Sequence, residues 1–348
     1  MKPLRAAVIG LGWAGEVHAR ALAQMPGVDL VALADPDPSR RAAFPGHRTT
    51  ANADELLCLD LDYCVVATPT ATHEEIATQL ATASIAALVE KPLAPDAAAA
   101  WRIADAFQRT GVLAAAGHTE RHNAANAELA RRLHRGDHGT LWQVSTRRQG
   151  PYPGRIRDVG VARDLAVHDL DLLAWFTGQP IATITATTAT IVGPFEDTAT
   201  ATALLRDGTL GHLHADWLTP YKRRSVEVHT EDGVLVADAV AGTLTLHPNT
   251  AEHRREAFVG ITPGSARPIP LPRVEAPFTV ENRLMLQALQ GGPIQDLVSL
   301  AAAATAVAAT DTLLTAAAAG RATTVRRRNG SGTRPPTADG SNPCRAEA

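Results

Sequence analysis

Gly10-Leu11-Gly12-Trp13-Ala14-Gly15 stands between a strand-like run, Arg5–Ile9, and a helical pattern, Ala14–Gln24, and no other feature restricts the fold of this 348-residue chain so tightly. A strand that feeds a glycine-spaced turn and then a helix is a cradle for a pyrophosphate. The first glycine permits the turn, and the second lets the backbone amides around Gly12, Trp13 and Ala14 approach the anion. The third lets helix pack on strand, and the helix N-terminus favours negative charge. Asp35 ends the next strand-like run, Asp29–Ala34, 20 residues beyond Gly15. A carboxylate there can accept hydrogen bonds from ribose hydroxyls and repel a 2′-phosphate, so the loop is expected to hold NAD rather than NADP. Arg40 and Arg41 close by keep NADP open.

The rest of the first third repeats the unit. Strands are expected at Tyr63–Ala67, Ala86–Val89 and Leu113–Ala116, with helices at His73–Ala83 and Pro95–Thr110. This alternation predicts a doubly wound parallel sheet over residues 1–119. Beyond residue 120 one helix, Asn123–Arg135, is followed by alternating strand patterns at 181–191, 198–205, 210–218, 225–230, 234–237 and 243–246. That predicts an α+β domain, 120–325, with an open, mostly antiparallel sheet, closed by helices at 280–290 and 296–319. The polar, Gly- and Pro-rich stretch 326–348 reads as a disordered tail.

The length suits two cores, since one core stops growing at roughly 250–300 residues. A net charge of −3 supplies no field for nucleic acid or anionic lipid. Three cysteines without ligand spacing exclude a disulfide framework and fit the cytoplasm. Leu297–Ala319 is apolar but alanine-rich and interrupted by Asp311, which fits a buried helix rather than a membrane span.

At the carboxyl ends of the parallel strands, where such sheets bind ligands, Thr68, Pro69 and Thr70 are expected to wall the cofactor, with His73 and Glu90 beside them. Lys91 follows Glu90 in Glu90-Lys91-Pro92. Asp164 and His168 stand at i and i+4, on one face if the segment is helical, amid Leu165, Val167 and Leu170. Oxidising a secondary alcohol needs a base near neutral pKa at the hydroxyl, and His168 meets that requirement unperturbed whereas Lys91 would need a depressed value. The reading is that His168 is the base and Lys91 a donor to the developing alkoxide, with exchanged roles open.

Together the glycine loop, the Glu-Lys-Pro tripeptide and the Asp-x-x-x-His segment resemble the Gfo/Idh/MocA family of sugar and inositol oxidoreductases over nearly the whole chain. The resemblance implies that Lys91 and His168 flank the reacting hydroxyl and that Asp164 orients the imidazole or the sugar. It also places Glu120, Arg121 and Asn123 at the domain junction beside the substrate, although His122 and Ala124 stand where the family often has an aromatic and a proline. The run Arg148–Gly160 resembles the loop of nucleotide-sugar members, the UDP-N-acetylglucosamine 3-dehydrogenases. That implies oxidation at C3 of a UDP-2-acetamido sugar, and Arg148, Arg155 and Arg157, with Arg223 or Arg224, could clamp its diphosphate. A free sugar, inositol or glycoside substrate, or a catalytically silent NAD-binding regulator, stays open. His212 and His214 share a strand face but lack a third ligand, so no metal is expected. The sheet's free face predicts a homodimer or homotetramer.

Overall fold

A computed structural model describes residues 2–154, 156, 159–249, 264–272 and 275–320. The expected tail, 326–348, lies outside the described residues, as do Arg155 and Arg157.

The chain opens with β1 (Leu4–Ile9), α1 (Trp13–Gln24), β2 (Val28–Ala34), α2 (Pro38–Ala42), β3 (Thr49–Thr50), α3 (Asp54–Leu57), β4 (Tyr63–Val66), α4 (His73–Thr82), β5 (Ala86–Glu90), α5 (Ala97–Thr110) and β6 (Ala114–Gly117). The six strands are all parallel in the order β3-β2-β1-β4-β5-β6. Crossing from β1 to β2 on one side and to β4 on the other creates the switch point where such sheets hold ligands. Side chains alternate between its two faces, as strand geometry requires. Tyr63 and Val65 pack with Ala19 and Leu22 of α1, whereas Cys64 and Val66 pack with Leu80 of α4 and Ile103 of α5.

The second half contributes α6 (Ala124–His134), β7 (Leu141–Pro151), a π turn (Ala162–Ala166), α7 (Val167–Thr177), β8 (Ile181–Ala189), β9 (Thr198–Leu205), β10 (Leu210–Asp216), β11 (Leu218–Thr230), β12 (Gly233–Asp238), β13 (Thr243–Pro248), β14 (Arg267–Ile269), α8 (Pro277–Leu289) and α9 (Leu300–Ala319). The described strands form a sheet in the order β14-β13-β12-β11-β7-β10-β9-β8, antiparallel except where β7 meets β10. One face is covered by α6 and α7, whose Leu129, Leu170 and Phe176 meet Val144, Ala201, Leu213 and Val228.

Two features depart from expectation. Central strand β7 runs through Arg148 to Pro151, a stretch expected as loop. Its inward positions Val144, Thr146 and Arg148 alternate with more exposed ones, and the pattern is concealed because an arginine occupies a buried site. The last two helices return to the first sheet: Met285 and Leu286 of α8 join the α1 face, while Ala303, Ala304 and Val307 of α9 join the α5 face. Leu313 of α9 packs in the core of the second sheet. Helix α9 is long and apolar enough to cross a membrane by composition, yet these residues are spent on the two cores.

Candidate active site

Both ends of the glycine-rich turn are fixed by close packing. Gly10 has φ +89°, and a side chain there would sit 2.5 Å from the Ala67 carbonyl oxygen; one at Gly15 would sit 1.8 Å from that of Gly10. At Gly12 the nearest described atom beyond the adjoining residues is Arg40 Nη1 at 3.9 Å, so the loop is open on the side where an anion could approach its amides. Asp35 is buried, and its Oδ2 accepts the Leu11 amide at 2.7 Å while Oδ1 accepts the Asp37 amide at 2.8 Å. It therefore shapes the turn, and Oδ1, with one hydrogen bond, keeps a lone pair for a ribose hydroxyl. Arg40 Nη1 stands 3.4 Å from Asp35 Oδ2 and is half exposed.

Across the switch point, Thr68 and Pro69 remain accessible, whereas Thr70 is buried at the start of a single 3-10 turn. His73 is likewise buried. Its ring lies between the carbonyl oxygens of Thr68, 3.0 Å from Nε2, and Pro92, 3.1 Å from Nδ1, so it ties the β4 and β5 loops together rather than facing a cofactor.

The Lys91-Pro92 peptide is cis. Lys91 Nζ donates to Asp164 Oδ1 at 2.8 Å and to the Asp164 carbonyl at 3.0 Å, which joins the end of β5 to the π turn 73 residues away. His168 follows in the first turn of α7, so Asp164 and His168 straddle the change from π to α winding instead of sharing one regular helix. His168 is buried, and Nδ1 has no hydrogen-bond partner among the described residues. Burial first, then the Lys91 ammonium, Arg148, His118 and Arg224, holds its pKa well below the ordinary imidazole value, so the ring is neutral at pH 7.

Around this centre lies a buried set of ion pairs. Arg148 Nη1 stands 2.9 Å from Glu120 Oε1, and its Nε donates to Asp169 Oδ1 at 3.0 Å. Arg224 Nη1 donates to the same Glu120 oxygen at 2.7 Å. Burial pushes Asp169 up to about 6 against the pull of Arg148. Arg121 donates to Asp171 at 2.8 Å and lies over the Trp175 ring, and His118 stands 3.4 Å from the same carboxylate.

Residues 4–118 match the oxidoreductase family with an NAD-binding Rossmann fold, and residues 126–236 match the GFO/IDH/MocA C-terminal domain. The chain belongs to the Gfo/Idh/MocA family. It is an oxidoreductase of a family acting on CH–OH groups, with NAD as cofactor. Among relatives, the UDP-N-acetylglucosamine 3-dehydrogenase of Acidithiobacillus ferrooxidans is 28% identical over 264 residues, 75% of this chain and 80% of that one. A structure of that enzyme superposes with a TM-score of 0.81 at 26% identity, covering 92% of this chain and 99% of the other. An inositol 2-dehydrogenase of an Arthrobacter species is 33% identical over 190 residues, 52% of this chain and 56% of that one. The structure of GenD2 from gentamicin A biosynthesis, in complex with NAD, gives a TM-score of 0.78 at 27% identity over 92% of this chain and 96% of its own.

Within this Gfo/Idh/MocA chain the structure brings Lys91, Asp164 and His168 together but turns several expected ligand contacts inward. Arg148 is 3% exposed and paired with two carboxylates, so its charge is held in an internal network instead of being presented at the surface. Glu120 and Arg121 are held in the same internal pairs. Asn123 caps α6 through the Ala125 amide and donates to the Ala239 carbonyl. His212 and His214 lie on the open face of β10 beside Thr202 and Asp216, outside the core. Sequence reasoning missed His118, whose ring meets that of His168 edge-on at 6.0 Å, and Asp169 and Asp171, which organise the cations. The only signal was the alternation of aspartates in His168-Asp169-Leu170-Asp171 within an apolar helix.

Proposed function

We propose that this chain oxidises a secondary hydroxyl of a sugar, with His168 taking the hydroxyl proton and Lys91 steadying the oxygen. The observation that carries this reading is the 2.8 Å contact between Lys91 Nζ and Asp164 Oδ1 at the carboxyl end of β5, with His168 one turn further on. Gly10, Gly12, Trp13, Ala14 and Gly15 would hold the pyrophosphate of NAD, Asp35 and Arg40 its adenine ribose, and Thr68, Pro69 and Glu90-Lys91 would border the nicotinamide. When bound, NAD accepts the hydride that leaves the alcohol carbon. Asp164 occupies two of the donors of the Lys91 ammonium, which leaves one N–H for the substrate oxygen. A neutral ring nitrogen of His168 is free of charge and so able to accept the proton as the carbonyl forms.

The substrate we propose is a UDP-linked 2-acetamido sugar, oxidised at C3. Support comes from the extent of the likeness to the Acidithiobacillus enzyme, which runs through both halves of the chain. Arg148 lends no support, and the remaining phosphate-binding expectation rests on Arg155, Arg157 and Arg223. An inositol substrate is favoured by the higher identity of the inositol 2-dehydrogenases, although that likeness spans just over half of their length. We further propose that copies of the chain associate through the open face of the second sheet, where Leu204 and Leu210 are register partners and both exposed. Light scattering on the purified chain tests that association.

NADH formation with UDP-N-acetylglucosamine, free N-acetylglucosamine and myo-inositol, in parallel, separates the readings. Turnover of the UDP-sugar alone is expected. Turnover of inositol alone overturns the substrate assignment, and a chain that binds NAD but reduces it with none of a wider polyol panel is a regulator.

A further inference from the structure

A second group of titratable side chains lies beneath the Lys91 loop. His18 of α1, Glu90 of β5 and Glu281 of α8 each present an atom within 4.8 Å of the others, and their exposures are 0%, 6% and 1%. Such a triangle could ligate a divalent cation, but the surrounding hydrogen bonds oppose it. Asn282 Nδ2 donates to the Phe278 carbonyl at 2.8 Å, and its Oδ1 accepts from Tyr63 Oη at 2.9 Å. Turning the amide over would set two acceptors against each other, so Nδ2 faces His18 Nδ1, 2.7 Å away, as a donor. His18 therefore carries its proton on Nε2 and donates it to Glu90 Oε1 at 3.0 Å. A protonated ring nitrogen cannot bind a metal.

Glu90 is satisfied as a carboxylate, since Oε1 accepts from His18 and Oε2 accepts the Lys91 amide at 3.0 Å. Glu281 is not. Neither of its oxygens has a hydrogen-bond partner among the described residues. The groups facing it are His18 from α1, Tyr63 from β4, Glu90 from β5 and His122 from the turn after β6, whose Nε2 is 4.0 Å from Oε1. None is a cation: His18 acts as a neutral donor, the Tyr63 hydroxyl is spent on Asn282, and burial pushes His122 down to about 4. An ionised Glu281 would be a second buried carboxylate beside Glu90 with no cation among the described residues paired to it.

We propose that Glu281 is a positioning residue: a neutral carboxylic acid that turns its proton toward the Glu90 carboxylate and so helps to hold the Glu90-Lys91 segment, and with it the reach of the Lys91 ammonium. Burial and the nearby Glu90 charge push its pKa well above the ordinary carboxyl value. The chain of contacts from Phe278 through Asn282, His18 and Glu90 to the Lys91 amide links α8 to the active-site loop, and Glu281 presents an oxygen within 4.8 Å of the Glu90 carboxylate. The link to turnover rests on the proposed role of Lys91, whereas the protonation of Glu281 does not.

Two variants of the full chain test this, Glu281→Gln and Glu281→Ala. A carboxyl whose folded pKa is raised stabilises fully below its unfolded value and loses that contribution as pH rises toward the folded one. Glutamine has no proton to lose. Glu281→Gln is therefore expected to melt above the wild type at neutral pH, with the gap closing as pH falls to about 4. The wild type should show the infrared carbonyl band of a protonated carboxylic acid at pH 7, and Glu281→Gln should lack it. Glu281→Ala is expected to lose kcat by about tenfold or more with little change in KM, and Glu281→Gln to restore it. A lower melting temperature for Glu281→Gln at neutral pH, or a zinc- or manganese-dependent rise in melting of the wild type alone, overturns the proposal. Unchanged kcat in Glu281→Ala overturns the positioning role. If no substrate is turned over, the melting and infrared results still decide the protonation state, so the two readings fail separately.

Discussion

Lys91 Nζ lies 2.8 Å from Asp164 Oδ1 and 3.0 Å from the carbonyl oxygen of the same residue, so one amine is clamped by both the side chain and the backbone of the π turn. The clamp fixes the direction of the remaining N–H as well as the position of the charge. Lys91→Met removes that donor and is expected to lower kcat/KM by about 10²–10³-fold, the scale of losing one preorganised donor to a developing oxyanion. Asp164→Asn keeps the shape but not the charge and should cost less. Because the two residues act together, the double variant is expected to be little worse than Lys91→Met alone. Steady-state kinetics on all three, with circular dichroism to verify folding, decides the matter; fully multiplicative losses would mean that the pair does not act as a unit.

The pH dependence follows from the direction of the His168 shift. Burial and the Lys91 ammonium keep the imidazole neutral below its ordinary range, so the acid limb of kcat/KM is expected below pH 6.5 rather than at it. The same depression affects stability: the unfolded chain binds the proton first, so the fold loses this contribution as pH falls from 6.5 toward the folded value. His168→Ala should abolish the limb and lower kcat by about 10²–10⁴-fold. A limb that persists in the variant would assign the proton acceptor elsewhere.

Much of this was legible in the sequence because it is local. The glycine turn, the alternating strands and the Glu-Lys-Pro and Asp-x-x-x-His segments each occupy a few adjacent residues whose chemistry needs little context. What escaped depends on partners far apart in the chain. Glu120 meets Arg224 across 104 residues, and Tyr63 meets Asn282 across 219. Arg148 looked like a ligand clamp because arginine is rarely buried, and only Glu120 and Asp169 together make its burial tolerable. Likewise nothing in the pattern of α8 showed that Glu281 points into a core instead of into water.

Gly12 and Gly15 separate binding of the cofactor from integrity of the fold. A side chain at Gly15 would collide with the Gly10 carbonyl at 1.8 Å, while at Gly12 the nearest atom among the described residues, adjoining ones aside, is 3.9 Å away. Gly15→Ala is expected to destabilise the chain by about 1–3 kcal/mol or more through overpacking, seen as a fall in melting temperature without ligand. Gly12→Ala should melt like the wild type in the absence of NAD and lose most of the NAD-induced rise in melting temperature. If Gly12→Ala keeps that rise in full, the pyrophosphate does not approach the loop at Gly12.

Arg148 offers the sharpest contrast between a structural and a substrate-binding role. The residue is 3% exposed, and its guanidinium lies between Glu120 and Asp169. Removing one partner from a buried ion pair leaves uncompensated charge and costs about 3–5 kcal/mol. Arg148→Met is therefore expected to lower stability by about that amount in urea titrations at pH 7, with the KM for a UDP-sugar little changed at temperatures where the variant stays folded. A diphosphate clamp predicts the reverse, an unaltered denaturation midpoint and a raised KM. Because Asp169 is already pushed up to about 6, it can take up a proton once the arginine is gone. The stability deficit should accordingly shrink as pH is lowered from 7 toward 5, whereas a deficit independent of pH would show that the loss comes from packing of the arginine stem and not from its charge.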